Sequence, residues 1–330
     1  MIRQAGMMVI VKARMEISMA NILVCLWMIT SFAEAVKGPY VPAMFVFGDS
    51  LADAGNNNYI PHSTARANFT PYGVSFFQHP TGRFTNGRIV FDFIGIITDI
   101  NAHKCSFCRF FRVNLMSDLT AFPVAATYLG LPFPPPYLEP DAKFIGGINF
   151  ASGGSGLLDS TGAESSVITM SRQVFQFEHF SYKLMRKHRS GAGKAKSYLG
   201  KSLYCITTGG NDVAYYIANS TLQNTTAPQQ FVTLLLARFD QYIARLYRRG
   251  ARKFLVLGVP ALGCTPYFRF IAYNSSKGEC LQPANQLVVA YNTALMSLVA
   301  RLNRKLDGAN IIQLNSYEYF MDILQNAASY

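Results

Sequence analysis

Three polar, glycine-containing stretches carry the residue types that acyl transfer requires. They lie at residues 48–50, 153–156 and 209–212, and each follows an apolar run. The first ends in the hydroxyl of Ser50, which could act as a nucleophile. The second is Gly-Gly-Ser-Gly, where a ligand can approach backbone N–H groups closely because glycine has no Cβ. The third supplies the side-chain amide of Asn211, an uncharged donor that could face a developing oxyanion.

Five apolar runs must position these stretches. Each is almost continuously apolar, which is typical of parallel strands covered on both faces. The runs are residues 43–48, 146–151, 202–208, 253–258 and 310–315. Longer stretches with a helical apolar stripe separate them, as at 228–249 and 287–302. We therefore predict an α/β fold, a three-layer sandwich with a central parallel sheet of about five strands, whose carboxyl edge carries the polar stretches.

Each polar stretch alone is typical of a turn, a loop or a helix cap, so the interpretation depends on longer blocks. These are FVFGDSLADAGNNN (45–58), GRFTNGR (82–88), GGINFASGGSGLLDSTG (146–162), TTGGNDVAYY (207–216) and VLGVPALGCTP (256–266). With them, the chain resembles the plant GDSL esterase/lipase family of the SGNH hydrolase superfamily. The resemblance runs from about Pro42 to Tyr330, except for residues 95–127.

The resemblance implies a flavodoxin-like SGNH fold and assigns roles to matching residues. Ser50 would be the nucleophile, and the backbone N–H groups of Ser50 and Gly154 with the Asn211 side chain would form the oxyanion hole. Ala52 stands where the Gly-x-Ser-x-Gly elbow of α/β-hydrolases has its second glycine, so the serine is presented differently. The resemblance implies no cofactor and no metal.

The general base is where the sequence departs from the family pattern. The family places it in a late Asp-x-x-His motif, and no such motif contains any histidine of this chain: His62, His79, His103, His179 and His188. Asp99 and His103 come nearest, at a spacing of four. We therefore expect that the catalytic His and Asp are not present in this chain and that the hydrolase domain, residues 36–330, is incomplete at its C-terminus.

Residues 95–127 interrupt what otherwise reads as one helix and show no clear periodicity. We interpret them as an atypical insertion, either specific to a lineage or an intron read as coding sequence. His103, Cys105 and Cys108 could instead be a fragment of a zinc site, although no complete ligand set accompanies them.

The N-terminus predicts a secretory leader. Residues 22–32 form a short apolar core that follows Lys12 and Arg14 and precedes Ala33-Glu34-Ala35. We expect a signal peptide cleaved near Ala35, with residues 1–18 as an upstream extension, rather than a stable membrane span. The alternative is a buried strand or an anchor.

Secretion would explain the sequons and cysteines. The sequons outside the leader are at Asn68, Asn219, Asn224 and Asn274, and the polar segment 218–228 predicts an exposed loop. In an oxidising compartment, Cys264 and Cys280 are candidate disulfide partners that bracket 15 residues. Cys205 lies inside an apolar strand, where we expect a buried thiol.

The formal charge of +12 indicates a polyanionic environment. The basic run 182–196 is broken by Ser-Gly-Ala-Gly and has no interleaved aromatic pattern, so it predicts a solvated helix end and loop rather than a nucleic-acid site. The expected partners are a small-molecule or lipid ester and an acidic cell-wall polysaccharide, with no nucleic acid and no stable membrane span.

The residues and the resemblance together predict a secreted serine ester hydrolase of the apoplast or cell wall. Its substrates would be carboxylic esters, such as lipid or cell-wall acyl esters, cleaved through an acyl-enzyme. Three alternatives remain open at this point. One is an acyltransferase with an alcohol acceptor, and another is a binding protein that keeps the pocket but lacks the base. The third, which rests only on charge, is a basic polyanion-binding protein of the cell wall.

Overall fold

The computed structural model describes residues 41–92, 130–187, 192–272 and 278–329. Its strands are β1 (Met44–Gly48), β2 (Gly147–Asn149), β3 (Leu203–Thr207), β4 (Lys253–Leu257) and β5 (Asn310–Leu314). Its α-helices are α1 (Met170–Lys187), α2 (Ala192–Lys201), α3 (Gly210–Ala218), α4 (Ser220–Thr225), α5 (Pro228–Arg248), α6 (Gln282–Lys305) and α7 (Ser316–Gln325). Short 3₁₀ turns at Asn56–Tyr59, Ala163–Ser165, Leu262–Cys264 and Ala327–Ser329 and a π-helix at Tyr267–Ala272 join them.

The five strands form one parallel sheet in the order β2-β1-β3-β4-β5. The register sets Gly48 at the end of β1 opposite Thr207 at the end of β3. In this order the chain reverses its direction of travel across the sheet between β1 and β3, and such a switch point opens a crevice at the carboxyl ends of the strands. The predicted fold class, a parallel-sheet α/β sandwich of the flavodoxin-like type, is confirmed.

One face of the sheet carries the larger apolar core. Phe45 and Phe47 of β1 point to this face, and the ring of Phe177 from α1 lies 5.2 Å from Phe45. Buried side chains of α2, α3, α5 and α6 join the same cluster. Met44 and Val46 point to the other face. Continuous apolar strands are therefore required because both faces are covered.

The predicted helical stripes are largely borne out. All the stripe positions expected in 287–302 are buried in α6. In α5, Phe231, Leu235, Ile243 and Leu246 are buried, whereas Leu234 is 44% exposed at the margin of the stripe. Gly250 follows the end of α5 with a φ of 106°, the left-handed conformation that commonly terminates a helix.

The segment 218–228 differs from the predicted loop. Residues Ser220–Thr225 form the short helix α4, and the Asn219 side chain caps it by accepting from the Leu222 N–H at 2.9 Å. Asparagine is among the best N-cap residues, because its side-chain oxygen satisfies a free N–H of the first turn. The segment is nevertheless mostly exposed, as the sequence predicted.

The predicted leader, residues 1–35, and the predicted insertion, residues 95–127, lie outside the described residues. Within the described ranges, no helix combines the length and apolar character needed to cross a bilayer.

Candidate active site

Ser50 lies in a tight turn at the carboxyl end of β1. The N–H groups of Ala52 and Asp53 both donate to the Asp49 carbonyl, at 3.0 and 2.9 Å, so the chain reverses around Ser50. Gly48 precedes the turn with a φ of 137°, and a Cβ there would lie 1.9 Å from the Thr207 carbonyl oxygen. Only glycine fits this approach of β1 to β3. The turn leaves Ser50 partly exposed beside the buried Asp49.

The Gly153-Gly154 loop follows β2 and is fixed by a buried carboxylate. Asp53 accepts from the N–H groups of Gly55 and Asn56 at 2.7 Å each, and from the Gly153 N–H at 2.9 Å. Gly154 has a φ of 88° and is partly exposed. The backbone N–H groups of Gly154 and Ser50 have no hydrogen-bond partner among the described residues. Two donors are therefore available to a ligand.

Two asparagines after Ser50 tie the same loop to β2. Asn56 donates through Nδ2 to the carbonyls of Asn149 and Ala151, at 2.9 and 2.8 Å. Asn57 donates to the Gly153 carbonyl at 2.8 Å. These bonds explain the Asn-rich end of the first sequence block, whose role the sequence analysis did not assign.

Asn211 lies in the first turn of α3, directly after β3. Its Nδ2 donates to the Ser155 carbonyl at 2.9 Å. An asparagine amide has two hydrogens on this nitrogen, so one remains for a ligand. The side chain is partly exposed and is held to the loop that also contains Gly154.

Gln173 joins these parts and was missed by the sequence analysis. This fully buried α1 side chain accepts from the Gly48 N–H at 2.8 Å, and its Nε2 donates to the Gly48 carbonyl at 2.9 Å. The same Nε2 contacts Ser155 Oγ at 3.1 Å. Gln173 thus binds both the strand before Ser50 and the loop that holds Asn211. A polar residue on the buried stripe of α1, between Met170 and Val174, is the sequence signal that could have revealed it.

Three buried carboxyl groups surround the partly exposed donors. Burial raises the pKa of Asp49 from 3.8 to about 7, with the Leu51 N–H opposing the shift and the charge of Asp212 adding to it. Burial also raises the pKa of Asp53 to about 6, although three backbone N–H groups donate hydrogen bonds to its carboxylate and oppose the shift. The pKa of Asp212 is raised by burial too; it accepts from the Leu157 N–H at 2.8 Å and so fixes the next part of the loop.

The surroundings of the glycine loop are apolar. A Cβ on Gly154 would lie 3.2 Å from Val167 and 3.6 Å from Ala65. A Cβ on Gly153 would lie 2.2 Å from the Phe84 ring, so this ring rests against the glycine. Beyond Phe84, an aromatic row continues outward to the surface. The Tyr72 ring is 6.0 Å from Phe84, and Phe69, 5.2 Å from Tyr72, is 56% exposed.

Arg83 of the second sequence block is structural. It forms a buried ion pair with Asp92, with Nε and Nη2 at 2.8 and 3.1 Å from the two carboxylate oxygens. Its Nη1 also donates to the Ala54 carbonyl at 3.2 Å. Through Arg83, the block is therefore hydrogen-bonded to Ala54, in the segment that follows Ser50.

The structure brings no described histidine into hydrogen-bond contact with Ser50. His62 and His79 are exposed in the connection after β1. His179 is exposed on α1, nine residues after the helix start and therefore about 13 Å along its axis from the carboxyl edge. His103 and His188, with Cys105 and Cys108, lie outside the described residues. Within the described ranges, no three His, Cys, Asp or Glu side chains converge as metal ligands would.

The cysteines and sequons occupy other parts of the molecule. Cys264 and Cys280 form a disulfide, and Cys205 is a buried free thiol whose pKa is raised by burial. Asn68 and Asn224 are exposed and Asn219 is partly exposed, while Asn274 lies outside the described residues.

Comparison with known proteins gives a consistent result over most of the chain. Residues 44–328 match a family model described as GDSL-like lipase/acylhydrolase. GDSL esterase/lipase 7 of Arabidopsis thaliana is 36% identical over 303 residues, which cover 88% of this chain and 73% of that protein. A second GDSL esterase/lipase of the same plant is 33% identical over 311 residues, covering 90% and 73% respectively.

Proposed function

The chain belongs to the GDSL-like lipase/acylhydrolase family and is therefore an ester-bond hydrolase, and from this premise we propose that it is a secreted serine esterase. Ser50 is the nucleophile in this proposal. One observation carries it: the ends of β1, β2 and β3 present a partly exposed serine beside donors that have hydrogens to spare. These donors are the N–H groups of Ser50 and Gly154 and the second Nδ2 hydrogen of Asn211.

In the proposed reaction, Ser50 Oγ attacks the ester carbonyl carbon while a base accepts the hydroxyl proton. The carbonyl oxygen becomes an oxyanion, which the N–H groups of Ser50 and Gly154 and the Asn211 amide stabilise. Collapse of the tetrahedral intermediate breaks the bond to the alcohol, which leaves with a proton, and forms a Ser50 acyl-enzyme. Attack by water on this ester then releases the acid and restores the hydroxyl. Transfer to another alcohol instead of water would make the protein an acyltransferase.

The base is a separate part of the proposal. Ser50 Oγ has no hydrogen bond to a described histidine, and the 330 residues contain no Asp-x-x-His motif. We propose that the reaction uses the His of the family's Asp-x-x-His motif as its base, with the Asp of that motif orienting it. The same observation favours the second candidate, a binding protein that keeps the pocket. Loss of a triad histidine can lower kcat by on the order of 10⁶, so the two candidates differ sharply in turnover.

The acyl group of the substrate is proposed to be apolar. Phe84, Val167 and Ala65 lie against the two glycines next to the proposed oxyanion hole, so the substituent on the ester carbonyl would contact carbon atoms. Each methylene buried on such a surface contributes about 0.8 kcal/mol. Lipid acyl esters and apolar acyl esters of the cell wall both fit this surface.

Secretion to the apoplast or cell wall is proposed from independent features. The disulfide between Cys264 and Cys280 suits an oxidising compartment, and the sequons at Asn68 and Asn224 are exposed. The predicted signal peptide, residues 1–35, would direct export and be removed. The full chain has a formal charge of +12 and the leader contributes three cations and two anions, so the exported protein would carry +11 and would meet acidic polysaccharide as a partner.

An ester assay tests the proposed function. Residues 36–330 and the same chain extended by the family's Asp-x-x-His segment are purified and assayed on a short-chain nitrophenyl ester. We expect activity in the extended chain and a drop of several orders of magnitude without the extension. Asn211→Ala in the extended chain should lower kcat roughly 10²–10³-fold, whereas the exposed Ser160→Ala should leave it unchanged. Equal kcat/KM for both chains would mean that an internal residue acts as the base.

A further inference from the structure

Three aromatic rings lead from the glycine loop of the candidate site to the surface. We call them the aromatic row: Phe84, Tyr72 and Phe69. The Phe84 ring rests against Gly153, because a Cβ on that glycine would lie 2.2 Å from the ring. The Tyr72 centroid follows 6.0 Å from that of Phe84, and the Phe69 centroid lies 5.2 Å further on. The row therefore begins one residue before Gly154, whose N–H has no partner in the described part of the chain.

Backbone hydrogen bonds hold the rings of the aromatic row in this order. The Gly73 N–H donates to the Thr85 carbonyl at 2.9 Å, which joins the segment of Tyr72 to the segment of Phe84. The Tyr72 N–H donates to the Phe69 carbonyl at 3.1 Å, so the outer two rings belong to one turn. A ligand would meet rings that are already in position, and this lowers the entropic cost of binding.

The segment that carries Phe84 lies against the loop that follows Ser50. A Cβ on Gly82 would lie 2.7 Å from the Gly55 Cα, so the two segments approach at a distance that only glycine allows. An acyl group on Ser50, with its carbonyl oxygen at the Gly154 N–H, would therefore have the inner end of the aromatic row within reach of its next carbons.

The rings of the aromatic row carry no cation, unlike a second aromatic cluster in the same connection. In that cluster, the Arg88 guanidinium lies 4.5 Å from the Phe76 centroid, and the Arg83 guanidinium lies 4.8 Å from the Phe77 centroid. Within the described ranges, no arginine or lysine lies over a ring of the row. An apolar ligand could therefore contact the row without displacing a charged group.

A purely structural role explains the inner part of the aromatic row. Tyr72 and Phe84 meet edge to face and are both partly buried, which is a favourable packing arrangement. Phe69 differs, because 56% of its surface remains exposed. Packing alone gains little from that ring, whereas methylene groups laid along the row would remove its apolar surface from water.

We propose that the aromatic row binds the acyl chain of the substrate and makes the enzyme prefer long acyl chains to acetyl groups. The proposal rests on the proposed function and adds the length of the acyl chain to it. An extended chain, whose carbon–carbon bonds are about 1.5 Å long, needs roughly nine carbons to pass all three rings. A hexanoyl group would therefore end before Phe69, whereas a decanoyl group would reach it.

Calorimetric titration of residues 36–330 with hexanoate and decanoate tests the proposal without any need for turnover. The two anions carry the same charge, so their attraction to the basic protein cancels in the ratio of the two Kd values. We expect decanoate to bind at least about tenfold more tightly, since each fully buried methylene raises affinity about fourfold. Phe69→Ser should lower this ratio about threefold or more, because the end of the longer chain loses its contact.

Two control variants separate the aromatic row from other apolar surfaces and from glycosylation. Phe76→Ser changes a ring that is 45% exposed and contacts Phe77 and Phe133 outside the row. Thr70→Ala removes the sequon at Asn68, whose glycan could cover Phe69, and leaves the rings of the row in place. Both controls should keep the Kd ratio within about twofold of the unmodified protein.

A loss in Phe76→Ser equal to that in Phe69→Ser would show binding to apolar surface in general. A loss in Thr70→Ala would assign the effect to a glycan. Either result would overturn the aromatic row as the acyl-chain site. Thermal melts of all three variants establish that they fold.

Two isomeric esters determine which half of the substrate contacts the aromatic row. Methyl decanoate carries its long chain on the acyl side, and nonyl acetate carries it on the alcohol side. In the chain extended by the Asp-x-x-His segment, we expect a higher kcat/KM for methyl decanoate. Phe69→Ser should lower this preference about threefold or more.

The activity outcomes distinguish the acyl-chain site from the proposed function. Equal kcat/KM for the two isomers, or a preference for nonyl acetate that Phe69→Ser abolishes, would overturn the acyl-chain assignment. Hydrolysis of neither isomer, with the chain-length dependence of acid binding retained, would refute the proposed function and leave the aromatic row standing.

Discussion

At the scale of single residues, the candidate site depends on buried side chains that do not themselves face the substrate. Gln173 forms hydrogen bonds with both the N–H and the carbonyl of Gly48, two residues before Ser50. It also contacts Ser155, whose carbonyl accepts a hydrogen bond from Asn211. One amide therefore couples the proposed nucleophile to a proposed oxyanion donor. Asp53 fixes Gly153, the residue before the proposed donor Gly154, by accepting a hydrogen bond from its N–H. These residues position the groups that would touch the ester.

Replacing Gln173 should reveal this positioning role. Gln173→Met keeps the side-chain length but leaves the buried Gly48 N–H without its partner, while the Gly48 carbonyl keeps its bonds from the Ser152 N–H and Ser155 Oγ. The variant should lower the free energy of unfolding by about 1–3 kcal/mol. We expect kcat to fall about tenfold or more while KM changes little, because the donors are misplaced rather than the acyl surface.

Gln176 is a matched control on the same helix. It is buried, but its Oε1 has no hydrogen-bond partner in the described part of the chain. Gln176→Met should therefore leave kcat unchanged and be neutral or stabilising. A fall in kcat of the same size in both variants would show that only the packing of α1 matters.

The buried Asp49 carboxyl predicts how stability depends on pH. Its pKa is about 7 in the folded protein against an ordinary 3.8, so between these values the folded state holds a proton that the unfolded chain releases. The free energy of unfolding therefore falls as pH rises through this window. Asp49→Asn keeps an acceptor for the Leu51 N–H and removes the titration. It should flatten the slope by at most about 1.4 kcal/mol per pH unit.

Chemical unfolding of both proteins between about pH 4 and pH 8 measures this slope. Asp141→Asn, at an exposed position, is the control and should leave the slope as it is. An unchanged slope in Asp49→Asn would contradict the assigned effect of burial.

At the scale of elements, the sequence predicted the strands and helices that a short local pattern of apolar residues reveals. Apolar runs and helical stripes are read within 5–25 residues, and this sufficed for five strands, for α5 and α6 and for the order of the polar stretches. The positioning role of Gln173 was not predicted because its partner Gly48 is 125 positions away in the sequence. Helix α4 was not predicted because the segment has a polar composition, whereas capping by Asn219 favours a helix there.

The disulfide gives a prediction at this scale, since it anchors the segment after β4 to the approach to α6. Closing a loop of about 16 residues contributes about 3 kcal/mol to the free energy of unfolding in the chain-entropy account. Cys280→Ala should lose this amount. Adding a reductant should lower the melting temperature of the unmodified protein but not of this variant. Equal sensitivity to reductant in both would show that the Cys264–Cys280 bond does not stabilise the fold.

At the scale of the whole molecule, the two edges of the sheet have different chemistry. The carboxyl edge presents Ser50 with neutral donors and an apolar wall, while the amino edge presents a cluster of exposed cations. A parallel sheet with helices running back along it separates these two edges by the length of the strands and helices.

The most direct test of the central claim is the site of covalent labelling by an organophosphonate ester. The chain extended by the family's Asp-x-x-His segment is incubated with the probe, digested and mapped by mass spectrometry. Only an activated serine displaces the leaving group of such a probe, so the adduct should map to Ser50 in stoichiometric yield, and Ser50→Ala should remain unlabelled while folding normally. An adduct on another residue, or labelling that persists in Ser50→Ala, would contradict the assignment of Ser50 as the nucleophile.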